Sequence, residues 1–154
     1  MAMDLQQTLT ETFNSNFVAY YRSHVAHANT VGRNFYADHK LLQKIYEDLQ
    51  GNIDILAELL RTIRAKMPMS LMAVHTDSQV TDDDCMGDSD ELLRLVYVDQ
   101  QILIEQYRDL YQVAELEGVV EIANYAQDRI LTHQKFSWML RSTLEDEDED
   151  EYED

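Results

Sequence analysis

Over most of its length the chain returns an apolar side chain every third or fourth residue. The residues able to interrupt such a pattern are few: Gly32, Gly51, Gly87, Gly118 and a single proline, Pro68. Steps of three and four put side chains on one face of an α-helix, whereas a strand would alternate, so the chain is expected to be all-α. Leu5, Leu9, Phe13, Phe17, Tyr20, His24 and His27 form one such stripe. The first helix is expected to end near Asn29, with Gly32 permitting a turn. A second helix from Asn34 to Ala65 rests on Leu41, Leu42, Ile45, Leu49, Ile53, Leu56, Leu60 and Ile63, and Pro68 follows its end. Gly51 inside it costs on the order of 1 kcal/mol relative to Ala and is read as a kink or a close approach of another backbone. Residues 69 to 88, with SLMAV followed by HTDSQVTDDDCMGD, read as a crossover carrying at most one short helix. Ser89 is the expected N-cap of a third helix, because Asp90 and Glu91 follow in its first turn. That helix runs to Glu117 with Gly118 as its stop, and a fourth spans Val120 to Leu144. Two hairpins joined by a long crossover make a four-helix bundle; an up-down bundle would have a short middle loop.

The length suits one domain, assigned to residues 1–144. A single cysteine excludes a disulfide framework, and as a lone loop cysteine Cys85 is read as neither ligand nor redox group. No apolar run approaches the roughly 18 residues needed to span a bilayer. The opening MAMDLQQTLTETFN lacks the basic region and apolar block of a signal peptide, so a soluble cytoplasmic protein is expected. The net charge is -18, and nine of the 30 acids lie in the final EDEDEDEYED. A block of like charge repels itself and buries nothing, so residues 145–154 are expected to be a disordered acidic tail. The remaining body still sets 21 acids against 12 Lys and Arg, which argues against DNA as a partner and favours cations.

His39 and Gln43 are four residues apart on the second helix and share a face, as do Asp54 and Glu58. Carboxylates one turn apart can bind one divalent ion or bridge two. Acid pairs at this spacing are equally ordinary on solvated faces, and His24 and His27 on an apolar stripe also read as hydrogen-bonded core residues. Distance sharpens the choice. At 1.5 Å per residue His39 and Asp54 are roughly 22 Å apart along a straight helix and cannot hold the same ion within one chain. If His27, His39, Asp54 and Glu58 make one site, a second chain related by a two-fold axis supplies half of it, and each dimer has two equivalent sites.

The order His27, Asn29, Gly32, Asn34, Phe35, His39, Asp54, Glu58 resembles the pattern of the Dps proteins, the mini-ferritins. ELLRTIRAKMPMSL is similar to the end of that family's second helix and DRILTHQKFSWMLRSTL to its last, so the likeness covers most of positions 5 to 144. The resemblance implies a ferritin-like four-helix bundle. It also implies a hollow dodecamer assembled from two-fold dimers, which oxidises Fe(II) with hydrogen peroxide or oxygen and stores the ferric product, protecting against oxidative damage. The ferroxidase site would lie between two-fold-related subunits, in agreement with the distance argument. His27 and His39 would come from one subunit and Asp54 and Glu58 from its partner, with Glu58 as the bridge between two irons.

Several positions depart from the family pattern. Gln43 stands where an Asp ligand is usual, offering a neutral amide oxygen to the second iron. Ala28 replaces a Trp beside the first histidine, leaving Tyr20, Tyr21, Tyr36 and Tyr46 as candidates to absorb stray oxidising equivalents. His24 is an additional candidate ligand one turn from His27. The family's DNA-binding members use Lys-rich extensions; here no Lys or Arg precedes Arg22 and the C-terminal run is anionic. Glu121 and Asp128 fall in the region that lines the family's three-fold iron pores, with Asn124 where an acid is frequent, although Glu121 is equally a helix N-terminal charge preference. The alternative function is a shell with a degraded ferroxidase centre, used as a structural, partner-binding or metal-buffering assembly.

Overall fold

A computed structural model describes residues 3–145, and every regular element among them is a helix. These are α1 (Leu5–Asn29), α2 (Phe35–Thr62), the short α3 (Leu71–Thr76), α4 (Ser89–Leu116) and α5 (Val120–Leu144). The acidic run expected to form a tail lies outside the described residues from position 146 onward.

Helices α1 and α2 pack as one hairpin, α4 and α5 as a second, and α1 against α4 joins them, with α3 lying on α1. The seam is filled by Leu9 and Phe13 of α1, Leu42, Ile45, Leu49 and Leu56 of α2, Leu93, Leu103 and Leu110 of α4, and Ile122 and Leu140 of α5, all essentially solvent-free. The α1 stripe does not stay buried along its whole length: Leu5, Leu9 and Phe13 are in the core, whereas Phe17, Tyr20, His24 and His27 are only partly covered. The drift leaves the histidine end of α1 at the edge of the bundle.

Each helix end has a local cause. Asp4 and Gln7 form a reciprocal capping box on α1, the Gln7 N–H donating to Asp4 Oδ1 at 2.8 Å and the Asp4 N–H to Gln7 Oε1 at 3.1 Å. Gly32, at φ 121°, turns the chain into α2. The second helix stops at Thr62 rather than Ala65. Arg64 adopts φ 65°, and the Ala65 and Arg64 N–H groups return to the carbonyls of Leu60 (2.9 Å) and Arg61 (3.0 Å), a Schellman stop without its usual glycine. Gly118, at φ 74°, makes the same closure after α4, with Val119 N–H on Ala114 O at 2.9 Å.

Two local expectations are corrected. The cap of α4 is Asp88, whose carboxylate accepts from Glu91 N–H at 2.9 Å. Ser89 is the first helical residue, and its hydroxyl donates to the buried Asp38 (2.7 Å) and pairs with Thr30 (2.8 Å), tying the α1–α2 corner to α4. Asp88 lies three residues before Glu91, the separation at which a capping side chain meets the N3 amide. Gly51 marks no close approach of another backbone within the chain, since a Cβ there would meet nothing, and α2 continues through it.

The crossover is pinned by polar side chains of α1. Ser15 accepts from Gln79 N–H at 2.9 Å while donating to Gln106 at 3.0 Å, and Arg22 Nη1 donates to the carbonyl of Asp83 at 2.8 Å. These bonds explain how a 20-residue connection stays on the bundle and why α1 carries buried polar residues where a stripe argument expects apolar ones. Among the described residues no helix is long and apolar enough to cross a membrane.

Candidate metal centre

The Gly32 turn folds α2 back so that its first turns lie beside the last turns of α1, and this brings His27 and His39 together. Their rings stack with centroids 3.7 Å apart. Each Nδ1 lies on the other residue's backbone carbonyl: His27 Nδ1 on His39 O at 2.8 Å, and His39 Nδ1 on His27 O at 2.9 Å. A carbonyl oxygen only accepts, so both Nδ1 atoms carry the proton and donate it. In the neutral rings both Nε2 atoms then keep a lone pair, as a metal-binding imidazole requires. Burial lowers the His27 pKa, with the His39 carbonyl opposing it, and so favours the neutral ring.

Around this pair sits an aromatic cluster. Tyr46 meets His27 edge to face at 4.8 Å and stacks flat on His24 at 4.1 Å, while Phe35 stacks on His39 at 4.9 Å. The Tyr20 hydroxyl and His24 Nδ1 are 3.1 Å apart, so the tautomer of His24 depends on which of the two donates. Of the four tyrosines considered beside Ala28, Tyr20 and Tyr46 join this cluster; Tyr21 and Tyr36 are 60% and 71% exposed. Gln43 is bound within its own helix, donating from Nε2 to Glu47 at 2.8 Å and accepting from Lys40 at 3.5 Å.

Asp54 and Glu58 are exposed on α2, beside the 45% exposed Ile55. Among the described residues no three His, Cys, Asp or Glu side chains converge on a metal-sized site, so these two carboxylates do not join the histidine pair within the chain. Glu121, Asn124 and Asp128 are all exposed on α5. Burial pushes the Cys85 thiol up, away from thiolate chemistry.

Sequence reasoning passed over several polar residues. Arg22 and Asp99 form a buried ion pair at 2.7 Å between α1 and α4. Arg129 of α5 is bidentate to Asp48 of α2 and also donates to His133 Nε2 at 2.9 Å, while His133 Nδ1 donates to Gln100 at 2.7 Å. Nothing in a helical pattern separates such charges from solvated ones. Of the residues passed over, Glu47 carried a usable signal, since it follows His39 and Gln43 at helical spacing.

A ferritin-like domain family model matches residues 6–149. The DNA protection during starvation protein of Helicobacter pylori strain J99 is 27% identical over 82% of this chain and 89% of its own. Its counterpart from Brevibacillus brevis is 26% identical over 94% and 100%. Among solved structures, the Dps protein of Vibrio cholerae O1, described as a member of a broad superfamily of ferritin-like diiron-carboxylate proteins, superposes with a TM-score of 0.87 at 26% identity, covering 94% of this chain and 98% of that one. Dps from Thermosynechococcus elongatus reaches 0.89 at 20% identity, over 94% and 92%. The chain belongs to the ferritin-like domain family, in its Dps branch of mini-ferritins.

Proposed function

We propose that this protein oxidises Fe(II) with hydrogen peroxide or oxygen at a site shared between subunits and stores the ferric product in a hollow shell. The observation that carries the reading is the His27–His39 pair, with each Nδ1 committed to a backbone carbonyl and each Nε2 left for a metal. On one side of the site stand these two imidazoles; on the other stand the partner subunit's Asp54 and Glu58. Their exposure beside Ile55 is what an α2 face awaiting a second copy would have. A two-fold axis relating the two copies of α2 gives two such sites per dimer, and dimers of this kind build the dodecamer.

Iron is the substrate here. Two Fe(II) each give up one electron, one peroxide accepts both and its O–O bond breaks, and hydrolysis of the Fe(III) product releases protons. The chain supplies imidazole nitrogens and hard carboxylate oxygens that hold Fe(II) beside the oxidant. Glu58 is the bridging carboxylate, His24 sits one turn behind as a further candidate ligand, and Glu121 and Asp128 draw cations toward the shell interior. The anionic surface makes DNA phosphates poor partners, and the working compartment is the cytoplasm.

The test is the rate of Fe(II) oxidation by peroxide with assembled protein. Wild type is expected to exceed the buffer rate and retain a ferric core, and Asp54→Ala with Glu58→Ala to abolish both. A wild-type dodecamer that oxidises no faster than buffer would sink the proposal in favour of a shell with a degraded centre. Gln43, whose neutral amide is already tied to Lys40 and Glu47, is what favours that second reading.

A further inference from the structure

The excess of 30 acids over 12 Lys and Arg is unevenly spread along the chain. From Arg33 through Tyr46 the only acid is Asp38, which is buried and accepts from Ser89 at 2.7 Å. From Ile130 through Leu144 there is no Asp or Glu at all. These two stretches lie side by side. Asp48 is bonded to Arg129 and Asn52 to Tyr125, so α2 and α5 run antiparallel and the last turns of α5 meet the first turns of α2. Met139 accordingly joins Lys40, Leu41 and Lys44 in lining an open groove, together with Gln43 and the Glu47 it holds. Lys135 is one turn before Met139 on the same face, and by the same register Arg33 stands opposite the end of α5. Arg33, Lys40, Lys44 and Lys135 are all exposed, and among the described residues none of them forms an ion pair.

We propose that this groove is the docking surface for residues 146–154 of the same chain, whose nine residues include eight acids. The segment continues from Glu145, directly after α5 and so beside the start of α2. Extended at about 3.3 Å per residue it reaches roughly 30 Å, enough to pass Arg33 and lie along Lys40 and Lys44. Other exposed cations are less suited to it. Lys66 follows the far end of the 28-residue α2, roughly 42 Å away and out of reach. Arg94 is on the near end of α4, but one turn from Asp90 and Glu91, whose charge repels an anionic segment. Four unpaired cations draw the segment in by attraction alone, so it needs no apolar core of its own. Once seated, it cancels a stretch of surface on which an external polyanion would otherwise settle.

The test is zero-length carbodiimide coupling of the assembled full-length protein, which joins a lysine amine to a carboxylate in contact with it, followed by peptide mapping. Links from residues 146–154 to Lys40, Lys44 and Lys135 are expected at low salt, with none to Lys66. In 1 M salt, where the screening length shrinks to about 3 Å, these links should fall several-fold. Coupling to Lys66 as readily as to the groove lysines, or no coupling to the groove, would overturn the proposal. Shells assembled from equal amounts of isotopically light and heavy chains identify the donor: links within one chain are expected, and mixed links would place the segment on a neighbouring subunit instead. Lys40→Glu with Lys44→Glu, both exposed and away from the core, is expected to speed removal of the segment by a glutamate-specific protease several-fold. An unchanged cleavage rate would show that the groove does not hold it.

Discussion

Asp99 lies 2.7 Å from Arg22 Nε in a part of the bundle where both side chains are almost fully covered. Burial penalises the charged carboxyl more than the guanidinium relieves it, and the Asp99 pKa is pushed up to about 6. An unfolded chain would titrate this group near 3.8, so between those values the native state binds the extra proton. Its contribution to stability is therefore complete below pH 3.8 and is lost as pH rises through 6. His133 acts in the opposite sense, since burial beside Arg129 holds it neutral and the unfolded chain takes up protons first as pH falls below 6.5. Asp99→Asn should remove the stabilising arm and leave the destabilising one. Its thermal midpoint is expected to fall more steeply than that of wild type between pH 6.5 and 4.5, and parallel curves would refute the assignment.

At the scale of the helix, start and stop signals behave differently. α1 and α5 begin and end where the pattern predicts, and Gly118 ends α4 through the positive φ that only glycine adopts without cost. α2 overran in prediction because its true stop is Arg64, a residue with no stop signature, held at φ 65° by the Schellman bonds to Leu60 and Arg61. An L-residue in that region costs roughly 1 kcal/mol relative to glycine. Arg64→Gly should raise stability by about that amount in guanidinium denaturation, with the slope of the transition unchanged. A loss of stability would mean that the Arg64 side chain makes a contact worth more than the backbone strain.

For the molecule as a whole, the question is what fixes one hairpin against the other. The apolar seam is supplemented by Arg129, which reaches from α5 to Asp48 on α2, and by the Tyr125 hydroxyl donating to Asn52 at 2.7 Å. Removing the acid alone would leave a guanidinium that is only 7% exposed without its counter-ion. Asp48→Ala is expected to cost on the order of 3 kcal/mol in denaturant unfolding. Combining it with Arg129→Met should return much of that loss, because the stranded charge is then gone. Strictly additive losses would show that the pair is not what couples the hairpins.

The one-dimensional pattern determined the helices, their order and the long crossover, because a spacing of three and four residues has one geometric meaning and glycines and caps act locally. It also determined that His27 and His39 could not share an ion with Asp54 and Glu58 inside one chain, because rise per residue is a property of the helix alone. Only the folded chain decided that the histidines face each other with their Nδ1 protons on each other's carbonyls. That arrangement depends on the angle at which the Gly32 turn returns α2 to α1. The tertiary structure likewise decided that Gln43 points into a bond with Glu47, that Arg22, Asp99, Arg129 and His133 lie inside, and that the half-buried Asp48 pairs with Arg129. Charge pairing across helices is invisible in periodicity, since a buried ion pair and two solvated ions are written with the same letters.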